Sequence, residues 1–261
     1  MSTLSVTAYV VNTMTVTAHS GRTKVDLGKL RLEQAERAAG DGDCASLLRV
    51  SHFSCRDGDE IVRVGRVFKR NGREKRYSSK LFDNQSTVVV RMPYDGGYYI
   101  NIKIFHNGKL QMTGARTLAQ AEEAANFALG SAGGAVRDAT VHLMNSNFVI
   151  NKRINREELH DVASNVYCVR SSFNPSVYPG VKIYFMYNQH LDGRCRCETE
   201  CSGLRSPGCC KRITVLVFSG KAHVKNSAAI ITGATCDEQI KATHEWLSTL
   251  LIKHAPRVVY S

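Results

Sequence analysis

Residues 105–115 read FHNGKLQMTGA, and residues 218–234 read FSGKAHVKNSAAIITGA. Each copy begins with Phe, passes a Gly-Lys turn and ends in Thr-Gly-Ala, and internal repetition of this kind governs how every other residue is read. An alternating run leads into each copy, YYINIKIF at 98–105 and ITVLVF at 213–218. Alternation at period two predicts half-buried antiparallel strands, and the Asn-Gly at 107–108 predicts a hairpin. A helix-like segment follows each copy, RTLAQAEEAANFAL at 116–129 and TCDEQIKATHEWLSTLL at 235–251, in register at Gln120 with Gln239 and Phe127 with Trp246. Apolar and small residues recur there at helical spacing, the pattern of a helix laid on a sheet. One face of each strand therefore meets helices, and the other is left for a different partner.

The parallel continues upstream. YSSKLF at 77–82 and FNPSVY at 173–178 carry aromatics at the same spacing, and each runs into a β-rich segment, STVVVRM at 86–92 and VKIYFMY at 181–187. Each half reads strand, helix, several strands, long helix. The predicted division is 1–133 and 138–261, joined by GSAGGAVRD, a small-residue linker without the Gly-Lys-Ser/Thr ending of a phosphate loop.

Bulk composition bounds the function. The 261 residues suffice for one large domain or two halves with a real core, and 43% hydrophobic with 22% charged residues is an ordinary globular balance. The sequence has no run of eighteen apolar residues, and MSTLSVTAYVVNTM lacks the layout of a signal peptide, so an intracellular protein without a membrane partner is expected. Thirty-five Lys and Arg against 23 Asp and Glu leave a net charge of +12, which favours a polyanion such as nucleic acid, with plain solubility as the alternative.

The ordered motifs resemble the TATA-box-binding protein (TBP) family, in which each repeat carries a Phe-x-Ser-Gly-Lys hairpin followed by Thr-Gly-Ala. The second repeat of that family has an aromatic-Pro-Gly segment, here VYPG at 177–180. MNSNF, FNPSVYPGVKIYF and the Cys-rich insertion are most similar to the divergent TBP-like proteins of large DNA viruses. The resemblance implies an α+β fold of two pseudo-symmetric repeats. These form one curved, saddle-shaped antiparallel sheet, with helices on the convex face and DNA under the concave one. It also implies a transcription initiation factor that binds A·T-rich promoter DNA in the minor groove and bends it with aromatic wedges. The implied partners are a B-type general transcription factor or a viral equivalent and the RNA polymerase machinery. The implied location is the host nucleus or a viral factory, with packaging in the virion open.

Matched residue by residue, the family's intercalating positions fall on Phe82, Phe105, Tyr178 and Phe218, its central Asn on Asn12 and Asn145, and its paired Thr on Thr113 and Thr232. Strand alternation adds Lys103 and Gln111 to the outward face of the first repeat, and Leu216 and Ile230 to that of the second. Lys103 and Gln111 stand where the family has aliphatic residues, so the first repeat is expected to discriminate less by shape and to bind with a steeper salt dependence. The acidic residues that the family uses to hold its B-type factor are replaced by Asn174 and Ser176. The usual recruitment contacts are therefore in doubt.

Two insertions remain. The first, about 38–80, holds Arg63, Arg66, Lys69, Arg70, Arg73, Lys75, Arg76 and Lys80 against Glu74 alone between 63 and 80. With Asn-Gly at 71–72 it reads as a basic hairpin that tracks phosphates or serves as a nuclear import signal, or else as a solvated loop. The second, HLDGRCRCETECSGLRSPGCCKR at 190–212, holds five of the nine cysteines. Cys195, Cys197, Cys201 and Cys210 are the expected ligands of a structural zinc, with Cys209 the competitor for the last place, and reduced thiols or a local disulfide as the alternatives. An enzyme is not expected: HEWLS at 244–248 lacks the second His of a zinc protease, and GDGDCA at 40–45 is not a dinucleotide turn. The other class in contention is a TBP-fold protein-interaction scaffold with weak or nonspecific DNA binding.

Overall fold

Burial follows the alternation residue by residue. Ile100, Ile102 and Ile104 are fully buried while Asn101, Lys103 and Phe105 between and after them are half-buried. Ile213, Val215 and Val217 are fully buried in the same way, and Thr214, Leu216 and Phe218 are half-buried. Each such buried side chain contributes roughly 1.5–3 kcal/mol relative to exposure, so the pattern commits every strand to one facing. The computed structural model describes residues 3–39, 47–65, 69–70, 73–74, 81–94, 97–197, 201, 203, 210–220 and 226–260. The chain divides into two units, Thr13–His142 and Met1–Asn12 with Leu143–Ser261.

The unit Thr13–His142 is built from β1 (Val10–His19), α1 (Leu27–Ala39), β2 (Arg49–Asp57), β3 (Glu60–Gly65), β4 (Lys69–Arg70), β5 (Arg73–Glu74), β6 (Gln85–Met92), β7 (Tyr98–Phe105), β8 (Lys109–Ala115) and α2 (Leu118–Gly133). Its antiparallel sheet runs β1-β8-β7-β6-β2-β3, and β4 pairs with β5 apart from it. Helix α2 packs on β6, β7 and β8, and α1 on β2, β3 and β6. Thr117 and Gln120 start α2 with a reciprocal cap, each side chain accepting the other's backbone N–H at 3.2 and 3.1 Å. Between the helices, Gln34 donates to the Ala128 carbonyl and Arg37 to that of Phe127.

The second unit contains β9 (Arg137–Ile150), α3 (Arg156–Asp161) with a π turn at Val162–Val166, β10 (Ser171–Asn174), β11 (Tyr178–Tyr187), β12 (Lys211–Phe218), β13 (Ser227–Ala234), α4 (Asp237–Lys253) and α5 (Ala255–Val258). Its sheet runs β9-β13-β12-β11-β10, again antiparallel, with α4 on β11 and β13 and α3 on β10 and β11. The α+β class is as expected: in each unit helices cover one face of an antiparallel sheet.

Two sequence stretches take on a different form in the structure, and a third keeps its expected one. Strand β2, inside the stretch read as an insertion, holds the place in its sheet that β10 holds in the other, so the added elements there are β3, β4 and β5. Lys69 pairs with Glu74 and Arg70 with Arg73, which are the arms of the expected basic hairpin. Its Asn71-Gly72 turn, Arg66, Lys75, Arg76 and Lys80 lie outside the described residues. Of the stretch 130–138, residues 130–133 complete α2 beyond a break at Gly130, and 137–138 already belong to β9.

The repeated Thr-Gly-Ala has one physical cause in both copies. Thr113 and Ala115 pair with Thr15 and Met14, and Thr232 and Ala234 with Asn145 and Met144, so Gly114 and Gly233 are each an extra residue in their strand. Their φ values are +106° and +94°, a region that L side chains rarely adopt. Added bulk meets different surroundings in the two: a Cβ on Gly114 would sit 2.5 Å from the Tyr99 carbonyl oxygen, and one on Gly233 3.4 Å from that of Arg212. Gly233→Ala should therefore cost about 1–3 kcal/mol of strain, and Gly114→Ala more, because a backbone atom must also move. Equal shifts in the urea midpoints of the two variants would contradict this account.

Candidate nucleic-acid interface and cysteine cluster

The face opposite the helices carries the predicted residues in cross-strand rows. In the unit Thr13–His142, one row runs Thr87, Lys103, Gln111, Thr17 across β6, β7, β8 and β1, and the next runs Val89, Asn101, Thr113, Thr15. Thr113 is exposed and Lys103, Gln111 and Phe105 are half-buried. Thr17 Oγ1 lies 2.6 Å from His142 Nε2. Phe105, opposite Gln85, lines a cleft with His19, Lys109, Gln111 and His142. Toward β2 this face closes, for Val89, Ser54 and His52 are 9%, 6% and 5% exposed.

The equivalent rows of the second unit are Lys182, Leu216, Ile230, Asn147 and Tyr184, Thr214, Thr232, Asn145, across β11, β12, β13 and β9. Leu216 and Ile230 make the middle of this face apolar. The structure adds Lys182 beside Leu216, with its Nζ 4.4 Å from the centroid of Tyr178. Thus each unit has a lysine in this row, on the strand of Phe105 in one and one strand further out in the other. Tyr178 and Phe218 meet edge to face at 5.8 Å, over Gly180, where a Cβ would stand 2.9 Å from the Phe218 ring.

Two expected pairs do not occupy equivalent registers. Phe105 is opposite Gln85, and Val217 opposite Val181 puts Phe218 next to Gly180, so the counterpart of Tyr178 is Asp83, one residue past Phe82. Phe82 is 67% exposed, and Asp83 is bound to Arg56 at 2.9 Å. Asn145 corresponds to Thr15 through the partners Thr232 and Thr113, whereas Asn12 is exposed three residues earlier. Thr15, Thr17, Asn147, Lys182 and Tyr184 share the outer faces without having been named from the sequence. Period-two counting outward from Phe105 and Phe218 through the paired strands is the signal that finds them.

The Cys-rich segment converges. The Sγ atoms of Cys195, Cys197, Cys201 and Cys210 lie within 4.8 Å of one another, at 3.7 Å for Cys197 to Cys210 and 3.9 Å for Cys195 to Cys210. Those separations leave the thiols unbridged, and Cys210 is buried. Cys209 lies outside the described residues. The Asn188 amide ties the site together, donating to Cys210 Sγ at 3.4 Å and to the Arg194 carbonyl at 2.8 Å. A backbone N–H at Cys197 favours the Cys195 thiolate, but burial and the three neighbouring thiols outweigh it and push Cys195 up to about 12. Burial opposes the Cys210 thiolate, yet the Arg196 N–H, the Asn188 amide and the Cys197 and Cys195 thiols hold it below the ordinary thiol range. Four convergent thiols are a donor set that a soft divalent cation can occupy, displacing their protons.

At the level of sequence, no family model matches the chain. No curated protein matches it either. Among solved structures, the chain is similar to Methanococcus jannaschii TBP at 16% identity, with a TM-score of 0.52, over 95% of this chain and 99% of that one. At that identity the likeness is one of fold, and the fold of this chain is TBP-like.

Proposed function

We propose that the outer sheet faces bind A·T-rich duplex DNA in the minor groove, and that the chain is a TBP-family transcription initiation factor nearest to those of large DNA viruses. Its repeats are 1–133 and 138–261. The observation that carries this reading is the pair of phenylalanines, Phe105 and Phe218, at equivalent ends of alternating strands whose inner residues are fully buried. The fold likeness to a protein named TBP and the +12 charge support it. Phe105, Phe218, Tyr178 and Phe82 act as wedges, Thr113, Thr232, Asn145 and Asn12 contact base edges, and Leu216 and Ile230 pack on the groove wall. Lys103 and Gln111 add polar and ionic contact in the first repeat. The bound promoter then recruits a B-type factor or its viral equivalent and RNA polymerase, in the host nucleus or a viral factory. Among the described residues, no helix is long and apolar enough to cross a membrane.

The four thiols hold one structural zinc. Zinc at about 2.3 Å from four sulfurs spaces them about 3.8 Å apart, close to the 3.7 and 3.9 Å found here. The metal stabilises a polar loop that has little core of its own. A second reading, a protein-interaction scaffold of the same fold, is favoured by the turn before Tyr178, where Val177 is 80% exposed.

Titration of A·T-rich and G·C-rich duplexes, with bending monitored, tests the first reading. Phe105→Ala/Phe218→Ala should abolish bending and weaken A·T-rich binding by roughly tenfold or more. Equal binding in all combinations would leave only charge attraction and favour the scaffold. Lys103→Leu should reduce the slope of log K against log salt by about 1, and an unchanged slope removes Lys103 from the interface. Purified under reducing conditions, the protein should carry about one zinc per chain and Cys210→Ser should carry none, whereas metal-free wild type rules the zinc site out.

A further inference from the structure

Beside the cysteine cluster, the second unit gathers three arginines around one tyrosine. Ser172 pairs with Lys182 and Arg212 with Met186, so by alternation Arg170, Tyr184 and Arg212 face the same way as Thr214 and Leu216. The guanidinium carbons of Arg170 and Arg212 stand 5.3 and 5.9 Å from the centroid of the Tyr184 ring. Arg194 completes a hollow of about 330 Å³ that Cys195 and Cys201 also line. All three arginines are exposed at its rim.

Their charges are unequally met. Arg194 is anchored through Nε to Asp192 at 3.1 Å. Among the described residues, neither Arg170 nor Arg212 forms an ion pair. Each cation is attracted to the ring face, but with no carboxylate bridging them among the described residues the two repel each other. An anion with several oxygens removes that repulsion and suits planar, multidentate guanidinium groups. The cysteine loop backs the site, for the Gly203 carbonyl accepts the Arg212 N–H at 3.1 Å. A Cβ on Gly203 would lie 2.4 Å from that of Arg212, at a φ of +70° that already favours glycine. The loop thus supplies one arginine and braces another.

We propose that Arg170, Arg194 and Arg212, organised around Tyr184, clamp a backbone phosphate of nucleic acid at the edge of the outer face. The identity of the phosphate donor rests on the DNA reading above, and the anion chemistry does not. The row Tyr184, Thr214, Thr232, Asn145 joins the clamp directly to the residues assigned to the groove. A phosphate held there fixes the register of the duplex without reading its sequence.

Two measurements test the clamp, on the full chain purified under reducing conditions. Inorganic phosphate, followed through the arginine Nε resonances, should shift Arg170 and Arg212 together, and Tyr184→Ala should uncouple the two shifts. In duplex titrations, Arg170→Gln/Arg212→Gln should make the slope of log K against log salt shallower by about 1–2 and leave the A·T to G·C affinity ratio unchanged. Phe105→Ala/Phe218→Ala should do the reverse, changing the ratio and keeping the slope. Wild type that binds duplex with a slope the arginine substitutions do not alter overturns the clamp and spares the minor-groove reading. If wild type binds no duplex while phosphate moves the arginine resonances, the anion site stands and the minor-groove reading falls. Resonances that phosphate leaves in place discard the clamp whatever the duplex does.

Discussion

A glycine in a conformation that other residues rarely adopt anchors both halves of this protein. At Gly114 and Gly233 the strand takes in one extra residue, after which Ala115 and Ala234 are fully buried and the chain turns into α2 or α4. Gln120 and Gln239 then reach back four residues to the N–H groups of Arg116 and Thr235, at 3.3 and 2.8 Å, tying helix to bulge in the same way twice. Strand, bulge and helix follow one another with no slack, so the helix returns over the face that carries the isoleucines and valines. The opposite face is left with Thr, Asn, Lys and Phe, and it is from that residue mixture that the DNA reading starts.

The two copies share a frame and differ in where they place charge. Lys103 lies on the strand that ends in Phe105, whereas its counterpart Leu216 has Lys182 one strand further out, drawn toward the ring of Tyr178. A cation among Thr and Gln in the middle of the face and a cation held over an aromatic toward its edge meet a polyanion differently, although each unit contributes one. Beyond Lys182 lie Tyr184 and the arginines beside the cysteine loop, a cationic border for which the first unit offers no equivalent in the rows described: Val89, the counterpart of Tyr184, is nearly buried. The segment that carries Arg194 is polar, and the thiols of Cys195, Cys197, Cys201 and Cys210 converge beside it.

Local chemistry made much of this legible. Period-two alternation gave β7 and β12 their facing, Asn-Gly marked a hairpin, and Gln120 with Gln239 marked equivalent helices, because each depends only on residues close in sequence. Strand β2 is not legible in the sequence because SHFSC puts Ser and His where a strand normally shows aliphatic alternation, and all five of those residues are buried by their neighbours in the fold. Phe82 and Tyr178 have matching sequence spacing yet differ by one register step, since pairing with β7 and β12, and not the spacing itself, decides the equivalent residue.

By itself the sequence determined the doubling and the facing of each strand that flanks a Thr-Gly-Ala. Those are consequences of backbone conformation and periodicity, which a short window contains. Only the tertiary structure decided which residues become neighbours across strands: Lys182 beside Leu216, Asn145 opposite Thr232, and Arg170 with Arg212 on one tyrosine. Such neighbours come from separate segments that hydrogen-bonded register brings side by side, and a one-residue slip in that register exchanges one face for the other.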